Sequence, residues 1–172
     1  MNLQSNDFEL FGLPEQFAQD LARIDARWKE LQREAHPDRF AAQGAAAQRI
    51  AMQWSVRINE AYKRLKDPLK RAAYLCELRG APIEAENNTA MPPQFLVEQM
   101  EWRESLEAAR GMEEVDRLDE QLVQARQAML QRIGELLDAK HDATTAAQQV
   151  RALMFIERFG EDVRERAEQL GQ

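Results

Sequence analysis

Apolar residues in this chain recur at intervals of three and four, and nowhere do they alternate with polar ones as a half-buried strand requires. That single period restricts the fold to packed helices. Composition agrees: Ala, Glu, Gln, Leu and Arg abound, all good helix formers, against only seven Gly and six Pro in 172 residues. Hydrophobic content of 44% and charged content of 31% are those of a globular chain rather than a disordered one.

Breakers divide the pattern into segments. A short aromatic turn, Asp7 to Phe11, is ended by Gly12 and Pro14. A helix is predicted from about Asp20 to Ala35, with Leu21, Ile24, Trp28, Leu31 and Ala35 on one stripe. Pro37 stops it. Another is predicted from about Ala45 to Lys66, with Ile50, Trp54, Ile58, Ala61 and Leu65 on its stripe, and a short helix carrying Ala72, Leu75 and Leu78 follows Asp67-Pro68.

Between Gly80 and Pro93 the period lapses, and Pro82, Pro92 and Pro93 fall within it, so residues 80–93 read as a linker. Three further helices, about Gln94–Arg110, Glu113–Lys140 and Thr144–Leu170, are separated by short breaks, as in an antiparallel three-helix bundle. The expected architecture is all-α, with a helical-hairpin domain at 1–79, the linker at 80–93 and the bundle at 94–172.

Charge is divided between the same two parts. Residues 1–79 hold 13 Lys and Arg against 11 Asp and Glu, while residues 80–172 hold 10 against 19, within an overall net charge of −7. Two modules with different partners would produce this, and so would a solvated acidic helix surface. Neither half is basic enough for nucleic acid. No stretch approaches the roughly 20 apolar residues of a membrane span. The N-terminal residues lack the marks of a signal peptide, and a lone Cys76 excludes an internal disulfide and any multi-Cys zinc site. The cytoplasm is the expected compartment.

One tripeptide stands out. His36-Pro37-Asp38 lies between two helices that must run antiparallel, and proline both ends the first and pushes His36 out of the α region. The result is a stiff corner presenting an imidazole and a carboxylate, the kind of place where binding resides. A plain helix stop with Asp38 capping the next turn would leave the same residues, and an acid–base pair is a third reading. No further His, phosphate loop or carboxylate cluster accompanies it, so no catalytic residue, metal or cofactor is expected and the chain does not read as an enzyme.

His36-Pro37-Asp38-Arg39-Phe40, followed by Ile58-Asn59-Glu60-Ala61-Tyr62-Lys63-Arg64-Leu65-Lys66-Asp67-Pro68 and preceded by Phe8-Glu9-Leu10-Phe11-Gly12-Leu13-Pro14, resembles the J-domain over about residues 5–79. The resemblance implies docking on a DnaK-type ATPase through His36, Pro37 and Asp38, supported by Arg27, Lys29 and Arg33. Glu30, Glu34 and Ala35 depart from the common J-domain pattern, which dilutes the positive face and favours a specialised chaperone partner.

The Gly/Phe-rich and zinc regions of general J-proteins are missing. Phe95-Leu96-Val97-Glu98-Gln99-Met100-Glu101-Trp102-Arg103-Glu104-Ser105-Leu106 instead resembles the C-terminal domain of HscB-type co-chaperones of iron–sulfur cluster assembly. That family resemblance implies a bundle that binds an IscU-like scaffold and delivers it to an HscA-like chaperone. On a helical wheel Phe95, Trp102, Leu106 and Ala109 form the core stripe, while Leu96, Val97 and Met100 fall off it with Glu101 and Glu104. Phe155 likewise stands beside the stripe of Ile156, Phe159, Val163 and Ala167. A helix wedged between two others would also show such a wide stripe. The resemblance places scaffold binding on Leu96, Val97, Met100, Glu101, Glu104 and Phe155. His141 reads as a solvated or capping residue.

Overall fold

Asn6 opens the first helix by accepting the Glu9 amide on its side chain at 2.9 Å, and Gly12, at φ 64°, closes it in the left-handed conformation. The computed structural model describes residues 2–171. In them α1 is Asp7–Phe11, α2 Leu21–Ala35, α3 Ala45–Lys66, α4 Pro68–Leu78, α5 Pro93–Ala108, α6 Met112–Gly134 and α7 Ala143–Leu170, and no strand occurs among the described residues.

The chain forms two compact units, Met1–Leu75 and Cys76–Gln172. The division falls inside α4, ahead of the boundary expected after Arg79. Cys76 is fully buried with its thiol against the Ala143 carbonyl, and Arg79 donates to the Leu137 carbonyl at 2.5 Å, so the end of α4 packs with the second unit.

In the first unit α2 and α3 run antiparallel. Asp25 meets Tyr62 and Lys66, Trp28 meets Asn59, and Gln32 meets Ser55, the second number falling as the first rises. Phe8, Leu10, Phe11, Ile24, Leu31, Ile58 and Leu65 fill the space behind this polar seam. Asp7 is fully buried and faces two guanidiniums, with Arg57 at 2.8 Å and Arg64 in a two-pronged contact at 2.7 and 2.9 Å. A buried carboxylate is tolerated because its oxygens are matched by charge and hydrogen bonds.

The outer ends of both predicted stripes are exposed. Leu21 begins α2 at 46% exposure, and Ile50 stands at 55% where the hairpin opens. Beside Ile50, between α2 and α3, lies an apolar groove of about 470 Å³ lined by Leu31, Ala35, Phe40 and Trp54.

The second unit is the three-helix bundle. Arg126 on α6 pairs with Glu157 on α7, and Arg166 near the end of α7 reaches the Ala109 carbonyl just before α6, so these helices are antiparallel. Phe95 contacts Phe155 and Trp102 contacts Phe159, which sets α5 parallel to α7. The long middle helix predicted to Lys140 is regular only to Gly134. Residues Glu135–Ala139 form one π turn, with Lys140 donating to the Glu135 carbonyl. Ile133, Leu136 and Leu137 all remain buried around this widened turn.

The 80–93 stretch is held to the bundle rather than left as open chain. Ile83 is buried, and the buried guanidinium of Arg151 takes the carbonyls of Ile83, Ala90 and Pro82 at 2.9, 3.1 and 3.2 Å. Three carbonyls of aperiodic chain thus receive donors that no secondary structure supplies.

Candidate functional site

Pro37 has no amide hydrogen, and its ring drives His36 to φ −62°, ψ 130°, ending α2. The chain then makes a 3-10 turn, Pro37–Gln43, in which no side chain is buried. The corner is held by local bonds. The Arg39 amide donates to the His36 carbonyl at 3.0 Å, and the Asp38 amide donates to His36 Nδ1 at 3.2 Å. Nδ1 and the Asp38 carboxylate are 3.7 Å apart, with side chains 55% and 93% exposed. An acid–base couple needs a sheltered, hydrogen-bonded contact, and this corner is open to solvent. It displays an imidazole and a carboxylate to solvent.

The cations expected to support the corner divide into two sets. At roughly 100° per residue, Lys29, Arg33 and His36 lie within about 60° of one another on α2. Lys29, Arg33 and His36 are all exposed. Arg27 projects from the far side. Its Nε donates to the Phe11 carbonyl at 2.9 Å and its Nη1 pairs with Glu30 at 2.7 Å, so it joins α1 to α2 instead of extending the corner's face. Glu34 lies on Arg27's side, and Glu30, paired with Arg27, stands midway between Arg27 and Arg33. Gln32, Arg33, His36 and Arg39 line one shallow basin of about 480 Å³ beside the corner, in which the Arg39 side chain turns back to the Arg33 carbonyl.

On the second unit, α5 is apolar on two opposite faces. Phe95 and Trp102 enter the core at 3% and 7% exposure, in edge-to-face contact at 5.7 Å. Leu96, Val97 and Met100 face the other way and are 45%, 58% and 63% exposed. Glu101 and Glu104 are exposed on the same side. Large apolar side chains left out in neighbouring turns and rimmed by charge make this face a candidate interaction surface.

Phe155 does not belong to that surface. It is buried at 9% exposure, stacked on Phe159 at 5.7 Å and set edge-on to Phe95 at 5.6 Å, with the Arg103 guanidinium over its ring at 5.2 Å. Residues 155 and 159 share a face of α7 by helical spacing, and a helix packed against two neighbours buries a stripe wide enough to include both.

Cys76, the lone thiol, is pushed up to about 11 by burial and is a core residue. His141 sits exposed at φ 50° between α6 and α7, beside Asp142, whose side chain caps α7 through the Thr145 amide at 3.1 Å. No helix among the described residues is long and apolar enough to cross a membrane.

Comparison with known proteins agrees with the fold of each unit. Residues 91–164 match the family model described as the HSCB C-terminal oligomerisation domain. The chain is 54% identical over 173 residues to a co-chaperone protein HscB homolog of Burkholderia multivorans, covering 99% of this chain and 98% of that one. A homolog from Burkholderia cenocepacia is 51% identical with the same coverage. Among solved structures, chaperone HscB from Vibrio cholerae superposes with a TM-score of 0.79 at 36% identity, covering 96% of this chain and 99% of that one. The human co-chaperone protein HscB, at 24% identity, shares the fold with a TM-score of 0.87 over 96% of this chain and 83% of its own. With half its residues shared end to end with named relatives, and both units accounted for, the chain belongs to the HscB family of co-chaperones.

Proposed function

We propose that the chain binds an IscU-like iron–sulfur scaffold through α5, delivers it to an HscA-like chaperone of the DnaK family, and stimulates that chaperone's ATPase through the His36-Pro37-Asp38 corner. It works in the cytoplasm and catalyses no reaction of its own; the nucleotide is bound and hydrolysed by the partner. The observation that carries the reading is the pair of exposed faces of unlike chemistry on one chain. The corner is polar and flanked by cations, and the α5 face is apolar and rimmed by Glu101 and Glu104. The two suit two different proteins.

Delivery then follows from linkage. A chain that engages both proteins turns the second encounter into a local one, at an effective concentration of roughly millimolar for a short connection. Specificity for a dedicated chaperone fits the small cationic set, since Lys29 and Arg33 provide a narrow positive edge. The test is single-turnover ATP hydrolysis by an HscA-like chaperone, with co-chaperone and scaffold added singly and together. Stimulation by the co-chaperone that rises further with the scaffold supports the reading. Stimulation that ignores the scaffold would remove the delivery half of it.

The description of the matched family model as an oligomerisation domain favours a second reading of the α5 face, a contact between copies. Sedimentation equilibrium with and without scaffold separates the two.

A further inference from the structure

A helical carbonyl accepts from the amide four residues on, so the carbonyl of Arg33 would ordinarily bond to residue 37. Residue 37 is proline, and that donor does not exist. The next amides are committed elsewhere, Asp38 to His36 Nδ1 and Arg39 to the His36 carbonyl. Into the vacant position comes a side chain. Arg39 Nη1 donates to the Arg33 carbonyl at 3.1 Å. We propose that Arg39 is a positioning residue whose guanidinium replaces the amide missing at Pro37 and thereby fixes the angle at which His36 and Asp38 are presented.

The geometry supports a clamp rather than an incidental contact. Arg39 grips the corner on both sides, its backbone amide on His36 and its side chain one turn back on α2. A cation at a helix C-terminus also meets the negative end of the helix dipole, which favours the same placement. Proline makes the corner but unties the end of the helix, and Arg39 ties it again. The proposal rests on the reading of the corner as the chaperone-docking site, so its test is built partly on the chain alone.

Hydrogen exchange of the Asp38 and Arg39 amides in the full chain reads the corner directly. Arg39→Ala should speed that exchange about two- to fivefold, the factor for one exposed cation at a helix end, with the thermal melt nearly unmoved. In a Pro37→Ala background the missing amide is restored, and Arg39→Ala should then change nothing, which is the signature of one donor replacing another. With an HscA-like chaperone, Arg39→Ala should lower maximal ATPase stimulation by a similar factor. The salt dependence of the half-maximal concentration should stay as in the native chain. Unchanged exchange in Arg39→Ala, or an equal change in both backgrounds, overturns the proposal. A shallower salt dependence also overturns it, because it would mark Arg39 as a direct charge contact. A native chain that fails to stimulate at all would sink the docking reading, while the exchange cycle would still decide the role of Arg39.

Discussion

The amide of Asp38 donates to Nδ1 of His36, two residues back, at 3.2 Å. An imidazole nitrogen that accepts carries no proton, so the neutral ring holds its hydrogen on Nε2, the nitrogen this bond leaves free. The same bond holds the corner that exposes Asp38. The exposure of the corner's polar groups and its geometry therefore depend on the same few atoms.

His36→Gln and Asp38→Asn should each abolish stimulation of the partner's ATPase while leaving the fold intact. Both side chains are exposed, and the one local bond at stake, from the Asp38 amide to His36 Nδ1, is a cap worth about 1 kcal/mol, too little to unfold the hairpin. Single-turnover hydrolysis alongside a thermal melt checks this. A well-folded variant with near-native stimulation would falsify the role assigned to the corner.

Steering should follow the split among the cations. Association with the chaperone should slow as ionic strength rises, because attraction between exposed charges is screened over roughly 8–10 Å near physiological salt. Lys29→Gln with Arg33→Gln should slow association and flatten that dependence. Arg27→Gln should leave the salt dependence as it is and lower the melting temperature, since Arg27 is bonded to Phe11 and Glu30. Stopped-flow association at several salt concentrations distinguishes the two outcomes.

Asp25 gives the hairpin a dependence on acid. Hydrogen bonds from Lys66 at 2.6 Å and from the Tyr62 hydroxyl at 2.7 Å hold its carboxyl below the usual carboxylate range. A carboxylate depressed in the folded state stabilises fully above its unfolded value of about 3.9 and loses that contribution as pH falls through the folded value. Asp25→Asn should therefore lower the melting temperature at neutral pH. The gap from the native chain should close as the solution is acidified below about pH 4. A gap that stays constant to low pH would mean the carboxylate's charge has no part in joining α2 to α3.

Much of this organisation is legible in the sequence because helices announce themselves by period and by their breakers. Ala45–Lys66 has the expected bounds and ends where Asp67-Pro68 predicts. What the period cannot give is the length of the partner. Leu21 and Ile50 sit on apolar stripes yet end up exposed, because the neighbouring helix does not cover the ends of the seam. Nor can spacing show a bond made by a long side chain. Arg27 looks like one more cation of the docking face until its contacts with Phe11 and Glu30 are seen. Nor does the period single out Arg151, which is buried and holds the carbonyls of an aperiodic segment. Arg39 was legible after all: a proline four residues past Arg33 leaves a carbonyl open, and an arginine two residues later can reach it.

The client face yields the sharpest separation of outcomes, because its expected members fall on opposite sides of the surface. Leu96 and Met100 are exposed on α5, and Phe155 is packed among Phe95, Phe159 and Arg103. Truncating an apolar interface anchor typically costs about 1–3 kcal/mol of binding, and about 1.4 kcal/mol is tenfold in affinity. Leu96→Ala with Met100→Ala should therefore weaken scaffold binding by roughly two orders of magnitude, allowing for non-additivity, with an unchanged denaturant melt. Phe155→Ala should instead lose about 3–5 kcal/mol of folding stability, as aromatic-to-alanine changes in cores do. At temperatures where Phe155→Ala is still folded, its scaffold affinity should fall far less than that of the double variant. Calorimetric titration and chemical denaturation of the two proteins, side by side, read both quantities. Native affinity in the Leu96 and Met100 double variant would remove α5 as the docking face, and a collapsed melt would show that these exposed side chains support the bundle instead.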